Sequence, residues 1–490
     1  MKSDRRSPQF GVGHWLSGWR PVINGAPPVK PVARARKPAP RWPPLSPIFR
    51  GLYWCYRLLA WGRYSLPRRF DRAGLALAAA LAVALVMLPD TENNVAYQAF
   101  SLILFTLAVG CCFAFFFPGK FTATRLLPRF GTVGCPLKYT VAVQNLGRQS
   151  QAGLSLLENL ADPRPSFREW LEVQLAEERR IRSFRFSKAQ RTSPFRRAHT
   201  AASPVPPLTP HGKVEVEVQL TPLRRGLLRL AGVTLARPDP LGLVRAFTRV
   251  RLPQSVLVLP RRYPLPSVPL PGALKYQQGG VALASNVGQS EEFVSLRDYR
   301  HGDPLRHIHW RSWARAGRPV VKEFEDEFFV RHALVLDTFA EHPRSPAFEE
   351  AVSIAASFAC TIQTQESLLD LLFVGPESYC FTTGRGLAHA DQMLEILAMV
   401  RACADQPFSS LEHLVLDHIQ LVSGCVCVLL AWDALRRDFV RKLQALNIPL
   451  LVLVVVEAGE SGKITTTPED PERFYVLQAG SVEQGLANIK

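Results

Sequence analysis

Two apolar stretches stand near the N-terminus, where residues 73–119 read AGLALAAALAVALVMLPDTENNVAYQAFSLILFTLAVGCCFAFFFPG. The first, Ala73–Pro89, has 17 residues without a charge, and the second runs uncharged from Asn93 to Gly119. A helix that crosses the apolar core of a bilayer needs about 20 residues, and about 17 is near the lower limit. The acidic segment between the stretches is long enough only for a turn. The pattern therefore predicts a transmembrane helical hairpin over residues 73–118.

The charges beside the hairpin predict its orientation. The connecting turn contains no Lys or Arg. Basic residues flank both outer ends of the hairpin: Arg63, Arg68, Arg69, Arg72, Lys120, Arg125 and Arg129. Because Lys and Arg stay on the cytoplasmic side, we expect a multi-pass protein of the cytoplasmic (inner) membrane with both termini cytoplasmic. Two buried helices of a soluble core are the alternative. A cleaved signal peptide is disfavoured, because the first apolar stretch begins some seventy residues into the chain.

The basic charge of the chain is concentrated before the hairpin. The net charge is +18, and residues 1–72 hold 15 Lys or Arg against two Asp or Glu, so +13 lies there and +5 in the rest. Ten prolines fall within residues 1–50, which favours a disordered arm, and an interfacial segment with Trp54 and Trp61 follows. Such an arm meets anionic lipid or nucleic acid by electrostatics. Lipid is favoured, because the arm leads directly into an apolar stretch.

Residues 125–262 alternate between apolar and polar side chains, which predicts half-buried strands. Strands are expected at Tyr139–Val143, Lys213–Val218, Gly226–Leu235 and Ser255–Leu259. Several short strands separated by turn residues are typical of an antiparallel sandwich. Residues 161–210 are rich in Arg, Ser and Pro and are interpreted as a long insertion or mobile loop.

Residues 331–490 show short apolar runs that alternate with helical patterns. Strands are expected at Ala333–Leu336, Leu368–Val374, Val422–Leu430 and Pro449–Val456, and helices from Pro346 and at about 389–402 and 434–446. This alternation predicts a parallel sheet covered on both faces, with sites at the C-terminal ends of its strands.

Nine scattered cysteines without a C-x-x-C pair favour a reducing compartment, and Cys425 and Cys427 should point to one face of a strand.

The densest polar stretch, within residues 263–330, joins the two soluble parts and reads RDYRHGDPLRHIHWRSWAR from Arg297 to Arg315. It resembles the bacterial domain of unknown function 58 family through Tyr299, Gly302, Asp303, Arg306, Ile308, Trp310, Arg315, Lys322 and Glu323. Upstream motifs follow in the order that the family uses: Arg225-Gly226, Asp239–Leu243 and Val258–Arg261. The resemblance extends over about residues 73–460.

The resemblance implies an architecture and a partner. It implies a membrane hairpin, an immunoglobulin-like sandwich and a von Willebrand factor A-like α/β domain. Family members are similar to proteins associated with MoxR-type AAA ATPases and are thought to help assemble or activate other complexes. It implies no enzymatic reaction and no cofactor.

A von Willebrand A domain binds a divalent cation through Asp-x-Ser-x-Ser after its first strand, which offers one test of the resemblance. The corresponding residues here are Asp337, Phe339 and Glu341, so a ring that cannot ligate replaces one hydroxyl group. Asp433 falls where another ligand would lie, but it also directly precedes a helix, where Asp is a preferred cap. We therefore expect a degenerate position without metal.

The polar stretch also leaves other interpretations open. His301, His307 and His309 lie near Asp303 and have the residue types of a zinc site or of a catalytic acid–base pair. A partner-docking surface is a further alternative. The favoured interpretation is a network of ion pairs at the domain junction: Arg297, Asp303, Arg306, Lys322 and Glu323.

These observations together favour a non-enzymatic, membrane-bound scaffold or assembly factor that acts with a cytoplasmic MoxR-type AAA ATPase. A membrane-anchored hydrolase that uses the cluster around Asp303 is one alternative. A nucleic-acid or lipid binder that acts through its basic tail is another.

Overall fold

The structure is a computed structural model, and it describes residues 46–87, 94–115, 119–161, 166–168, 170–171, 197–266, 293–303, 305–324, 330–340, 345–361, 367–383, 387–457 and 471–489. Over these residues the protein is a mixed α/β protein with four β-sheets and an N-terminal group of helices. Most of the basic arm, residues 1–45, lies outside the described part.

Three helices open the described chain: α1 (Ser46–Arg69), α2 (Arg72–Met87) and α3 (Asn94–Phe115). Within the described ranges one of them is long and apolar enough to cross a membrane, through residues Tyr97–Ala114 of α3, and only 11% of that window is buried. The apolar helix α2 has 16 residues. At about 1.5 Å per residue it extends about 24 Å, less than the ~30 Å core of a bilayer. Two crossing helices were predicted, and the structure contains one candidate.

The β-rich part has nine strands in two sheets. They are β1 (Phe121–Leu126), β2 (Phe130–Thr132), β3 (Leu137–Asn145), β4 (Ser155–Leu160), β5 (Ala198–Thr200), β6 (Ser203–Pro204), β7 (Lys213–Pro222), β8 (Gly226–Pro238) and β9 (Arg245–Leu259). One sheet has the order β1-β3-β7-β5 and the other β2-β9-β8-β4-β6. Buried residues from both sheets, such as Val141 and Val233, share one apolar core.

The alternating patterns in this part are confirmed as strands. In β7, Val216 and Val218 are buried, whereas the alternating residues Glu215 and Glu217 are exposed. This alternation is expected for a strand with one face on the core. The interpretation of residues 161–210 as an insertion was wrong at its C-terminal end. Both β5 and β6 lie there, and they pair with β7 and β4 respectively.

A small two-stranded unit follows the β-rich part. It contains β10 (Phe293–Asp298), a single 3₁₀ turn (Leu305–His307), α4 (Trp310–Ala316) and β11 (Val320–Phe324). β10 and β11 pair antiparallel with each other and belong to neither of the two large sheets before them nor to the sheet that follows.

The C-terminal part has one six-stranded sheet. Its elements are β12 (Val330–Leu336), α5 (Pro346–Thr361), β13 (Ser367–Val374), β14 (Ser378–Thr383), α6 (Leu387–Met399), α7 (Ser409–His418), β15 (Gly424–Leu429), α8 (Ala434–Ala445), β16 (Leu450–Val456), β17 (Phe474–Gln478) and α9 (Val482–Ala487). The order is β14-β13-β12-β15-β16-β17, and only the edge strand β14 is antiparallel. Helices α5, α6 and α9 cover one face, and α7 and α8 cover the other. The predicted covered parallel sheet is confirmed.

The β-rich part and the α/β part meet in a shared apolar core. Leu259 and Tyr263 pack in the cluster that α5 and α6 form against the six-stranded sheet. The backbone N–H of Tyr263 donates to Ser357 Oγ at 2.8 Å, and Arg225 donates to the Val400 carbonyl oxygen at 2.8 Å and pairs with Glu349. The upstream motifs 225–226 and 258–261 therefore lie at this joint.

The remaining upstream motif, residues 239–243, forms a turn against the helices. Asp239 Oδ1 accepts from the backbone N–H groups of Leu243 and Val244, at 2.6 and 2.9 Å, and fixes the turn. A Cβ at Gly74 of α2 would stand 2.1 Å from the Leu243 carbonyl oxygen, so only glycine permits this approach. On α3, a Cβ at Gly110 would stand 3.0 Å from Asp239 Oδ2. The turn thus holds the adjacent ends of α2 and α3 against the β-rich part.

Candidate functional site

The two-stranded unit brings together most of the residues that carry the family resemblance. Ile308 bridges to Val321 on β11, and the backbone N–H of His309 donates to the Val320 carbonyl oxygen at 2.8 Å. Ile308, Val320 and Val321 are buried and form the small apolar interior of the unit. Gly302 has a φ of 109°, a backbone conformation that favours glycine. We call residues 295–322 the signature unit.

An ion pair fixes the turn of the signature unit. Arg297 donates from both terminal nitrogens to Asp303, at 2.7 and 2.8 Å, and the Arg300 backbone N–H donates to Asp303 Oδ2 at 2.8 Å. The Arg297 guanidinium, together with the N–H of Arg300, lowers the pKa of Asp303 to about 2. Asp303 is therefore a carboxylate at neutral pH with both oxygens already hydrogen-bonded, which suits a structural anchor and not an acid–base catalyst.

The outer surface of the signature unit combines aromatic and basic side chains. Trp310 and Trp313 stack with their ring centroids 5.2 Å apart and an interplanar angle of 17°. Trp310 is 65% exposed and Leu305 is 68% exposed. The same unit carries exposed cationic side chains: Arg300, Arg306, Arg311, Arg315 and Arg318, of which Arg318 pairs with Asp298 at 3.0 Å. Exposed aromatic and arginine side chains together are the composition of a protein-binding surface.

The other predicted members of the unit lie apart from a common centre. Arg306 donates to His307 Nε2 at 3.3 Å and not to Asp303. His309 Nδ1 and Ser312 Oγ are 2.6 Å apart, and His301 is exposed. Tyr299 and Lys322 are partly buried, and Lys322 is opposite Leu296 in the register of β10 and β11. The side chain of Glu323 lies outside the described part. The structure thus supports the Arg297–Asp303 pair and does not extend the network to Arg306.

A second candidate site lies where β12 ends beside β15, the point at which the strand order of the α/β sheet reverses. Asp337 follows β12 and is fully buried. Its two oxygens accept from the backbone N–H groups of Phe339, at 2.9 Å, and Leu430, at 3.1 Å. Open α/β sheets bind ligands at such a switch point. Glu341, the third predicted position, lies outside the described residues.

An arginine occupies the position between the two aspartates of this site. Arg436 of α8 donates from Nε to Asp337 Oδ2 and from Nη1 to Asp433 Oδ2, both at 2.6 Å. Asp433 also caps α8, since its Oδ1 accepts from the Arg436 backbone N–H at 3.0 Å. Burial lowers the pKa of Arg436, but the two carboxylates outweigh burial and the net shift is upward.

A guanidinium of the chain itself occupies the space between the two carboxylates. The guanidinium is held by two carboxylates and is buried, so a divalent cation has to displace it to reach both oxygens. Within the described ranges no three His, Cys, Asp or Glu side chains converge as a metal site requires. Sequence reasoning missed Arg436, although a cation three residues after the capping Asp433 was a visible signal.

Comparison with known proteins matches the signature unit, and the α/β part as far as residue 461, to one family. Residues 295–461 match the family described as "Protein of unknown function DUF58". This chain carries a DUF58 domain. The sequence motifs predict a resemblance that begins at about residue 73, whereas the match to the family begins at residue 295. The β-rich part and the helices therefore lie in front of the DUF58 domain as matched.

Relatives of the DUF58 domain add no established activity. The chain is 31% identical over 137 residues to the uncharacterized protein YeaD of Bacillus subtilis (strain 168), a match that covers 28% of this chain and 33% of that protein. The chain thus spans about a third of the relative that it matches.

Two solved structures are similar only at low scores. The solution structure of the CARDB domain of PF1109 from Pyrococcus furiosus is 15% identical, with a TM-score of 0.15, and the match covers 29% of this chain and 94% of that one. A GH20 exo-β-N-acetylglucosaminidase from Vibrio harveyi is 8% identical, with a TM-score of 0.13, over 74% of this chain and 81% of that one. Scores this low carry no argument about fold or function.

Proposed function

We propose that this protein is a non-enzymatic membrane-bound scaffold that uses its signature unit to dock a cytoplasmic MoxR-type AAA ATPase. The observation that carries the proposal is the stack of the exposed Trp310 on the half-buried Trp313, in a unit with five exposed arginines. Two stacked indoles in contact with water gain free energy when a partner covers them. These arginines favour a partner with an acidic surface.

The placement of the signature unit supports a docking role. Its strands pair with each other and leave all three larger sheets complete, so a partner can bind the unit without breaking another sheet. The Arg297–Asp303 pair and the buried Ile308 hold the unit in one conformation. A preformed surface loses less conformational entropy on binding than a flexible one.

Finer assignments of the fold belong to the same proposal. The order β14-β13-β12-β15-β16-β17 with one antiparallel edge strand, and Asp337 after the first strand, support a von Willebrand A-like domain whose cation is replaced by Arg436. The two sheets around one core support an immunoglobulin-like sandwich.

For the membrane part we propose a hairpin of α2 and α3 in the cytoplasmic membrane with both termini cytoplasmic. The contact of both helices with one turn of the β-rich part supports that arrangement, because it places their ends on the same side.

The rival functions find less support in the described residues. A hydrolase would need Asp303 or a histidine to exchange protons near neutral pH, but the pKa of Asp303 is about 2 and its oxygens are occupied by Arg297 and by the Arg300 N–H. A nucleic-acid binder would act through the basic arm. That arm lies almost entirely outside the described part, so no described contact supports this function.

Affinity purification of the full-length protein from membranes in mild detergent tests the proposal. We expect an AAA ATPase of the MoxR type to co-purify with the wild type and to be lost with the double variant Trp310→Ser/Trp313→Ser. The matched control is Leu446→Ser, which removes another exposed apolar side chain, 50% exposed after α8, and should leave recovery unchanged. Recovery of no such ATPase with a folded wild-type protein would refute the proposed partner.

A further inference from the structure

Helix α1 has one face that packs on the β-rich part. Tyr53 is buried there, with its ring centroid 5.4 Å from Phe167 and 5.6 Å from Trp170. Near the other end of the helix, Arg68 donates to Asn159 Oδ1 at 3.3 Å and also to the Glu158 carbonyl oxygen. The helix is therefore attached to the β-rich part at both of its ends.

The opposite face of α1 is apolar and exposed. Six large apolar side chains are between 47% and 69% exposed: Leu52, Trp54, Leu58, Leu59, Trp61 and Leu66, of which Trp61 and Leu66 also line a cavity beside the β-rich part. At about 100° per residue they fall on one half of the helix circumference, and Tyr53 falls on the other half. An apolar surface of this size on one helix marks an interaction site and is not expected to remain in water.

The charges of α1 fit an anionic partner. The helix contains five arginines and no Asp or Glu: Arg50, Arg57, Arg63, Arg68 and Arg69, of which Arg68 and Arg69 contact Asn159 and Phe247 of the β-rich part. Arg57 lies over the ring of Trp54 at 6.0 Å from its centroid, at the edge of the apolar face. Arginines that flank a face of Trp and Leu are typical of helices that lie in the headgroup layer of an anionic membrane.

The position of α1 next to α2 and α3, the helices of the proposed hairpin, points to a bilayer as the partner. Only Phe70 and Asp71 separate α1 from α2. Asp71 is itself tied to the β-rich part, since its N–H donates to the Leu243 carbonyl oxygen at 3.1 Å and its Oδ1 accepts from Arg245 at 3.0 Å. The turn that contacts Gly74 marks where α2 leaves the β-rich part, so α1 lies at the level at which α2 enters the membrane.

We propose that α1 lies in the headgroup layer of an anionic phospholipid bilayer, with its apolar half toward the acyl chains and its Tyr53 face against the β-rich part. This inference rests on the membrane anchor of the proposed function. Its consequence is that the soluble parts do not swing freely on a tether. The bilayer and the β-rich part hold α1 between them, so the β-rich part has one fixed orientation on the membrane.

The native cysteines allow a direct test of depth. Cys55 lies on the apolar half of α1 and is exposed, as are Cys111, Cys112, Cys135 and Cys360. Cys135 follows β2, which pairs with the end of β9 that is distant from the helices. The 15 residues of β9 extend about 45–50 Å, so Cys135 provides a control position far from the bilayer.

The experiment uses the full-length chain in nanodiscs of phosphatidylcholine and phosphatidylglycerol. One variant keeps Cys55 as the single exposed thiol and the other keeps Cys135, with the remaining exposed cysteines replaced by Ser, and a nitroxide is attached to each. We expect the Cys55 label to collide more with oxygen, which concentrates in lipid, than with a water-soluble nickel complex. The Cys135 label should show the reverse preference.

A second substitution separates the interfacial helix from the anchor. Leu58→Glu places a carboxylate on the apolar half without touching the Tyr53 contacts, and should shift the Cys55 label to the aqueous preference. The protein should still resist extraction from membranes at alkaline pH, because α3 remains intact. An aqueous Cys55 in the otherwise unchanged, alkali-resistant protein would overturn the interfacial helix alone. Extraction of that protein by alkali would overturn the anchor and the interfacial helix together.

Discussion

Replacement of Arg436 by Met removes the internal cation from between Asp337 and Asp433. Asp337 is fully buried and would retain only the backbone N–H donors of Phe339 and Leu430. Removal of one partner from a buried ion pair costs about 3–5 kcal/mol. The side chain of Asp433 is 46% exposed and can be hydrated again. We therefore expect the free energy of opening of the α/β part to fall by about 3 kcal/mol, the lower end of that range.

Two native thiols report this opening. Cys425 and Cys427 are fully buried in β15, the strand beside Asp337, and they react with a thiol reagent only when the sheet opens. Since about 1.4 kcal/mol corresponds to a tenfold change in an equilibrium, Arg436→Met should accelerate their labelling about 100-fold. The rates are measured by peptide mass spectrometry on the full-length protein in nanodiscs.

The control for this substitution lies on the same helix. Arg441 is an exposed cation of α8, and its pair with Asp438 at 3.8 Å is a surface pair that contributes at most about 1 kcal/mol. Arg441→Met should therefore change the labelling rate by no more than about fivefold. Labelling of Arg436→Met at the rate of Arg441→Met would refute the internal-cation interpretation of the site.

Three further predictions follow from other contacts. Gly74→Ala forces a Cβ to within 2.1 Å of a backbone oxygen, so it should loosen the helices from the β-rich part by about 1–3 kcal/mol, seen as faster hydrogen exchange in the contacting turn. Glu158→Gln leaves the buried Arg125 without its bidentate partner, and should cost about 3–5 kcal/mol and lower the temperature at which the β-structure melts. The pKa of Asp303 is about 2, below the ordinary value, so its ion pair contributes fully above about pH 4 and is lost as the pH falls through 2. Protection of the Arg300 amide against hydrogen exchange should follow the same course.

Each of these predictions has a matched control or a contrary outcome. Gly51→Ala, where a Cβ meets nothing within 4 Å, should leave hydrogen exchange in the turn unchanged. Glu217→Gln removes an exposed carboxylate that is 3.8 Å from Lys138 and should have little effect on melting. Loss of Arg300 protection already between pH 5 and 7 would contradict the assigned pairing of Asp303, because a pKa near 2 leaves the carboxylate charged there.

The C-terminal sheet was predictable because parallel strands buried on both faces are unbroken apolar runs. The expected strands at 368–374 and 449–456 agree with β13 and β16 to within one residue at each end. The expected common face of Cys425 and Cys427 is confirmed by their sulfur atoms, which are 3.5 Å apart. The edge strands β14 and β17 were not expected, since partly buried edges lack that continuous apolar signal.

The contacts between distant segments were not predictable in the same way. Arg436 reaches Asp337 across 99 residues of sequence, and only the folded sheet brings them together. Helix α1 was expected only as an interfacial segment, because its ordered inner face depends on contacts with Phe167 and Trp170. The signature residues were recognised, but their pattern did not indicate that Trp310 would stack on Trp313 and stay exposed.

Photocrosslinking from position 310 tests most directly whether the signature unit is a docking surface. A photoreactive amino acid replaces Trp310 in the full-length protein, and the membranes are illuminated before they are solubilised. The same substitution at Leu446, which is also exposed, serves as the control position. We predict a crosslink from position 310, and not from 446, to an AAA ATPase of the MoxR type. Crosslinks from position 310 that reach only this chain itself, or that match those from position 446, would contradict the account.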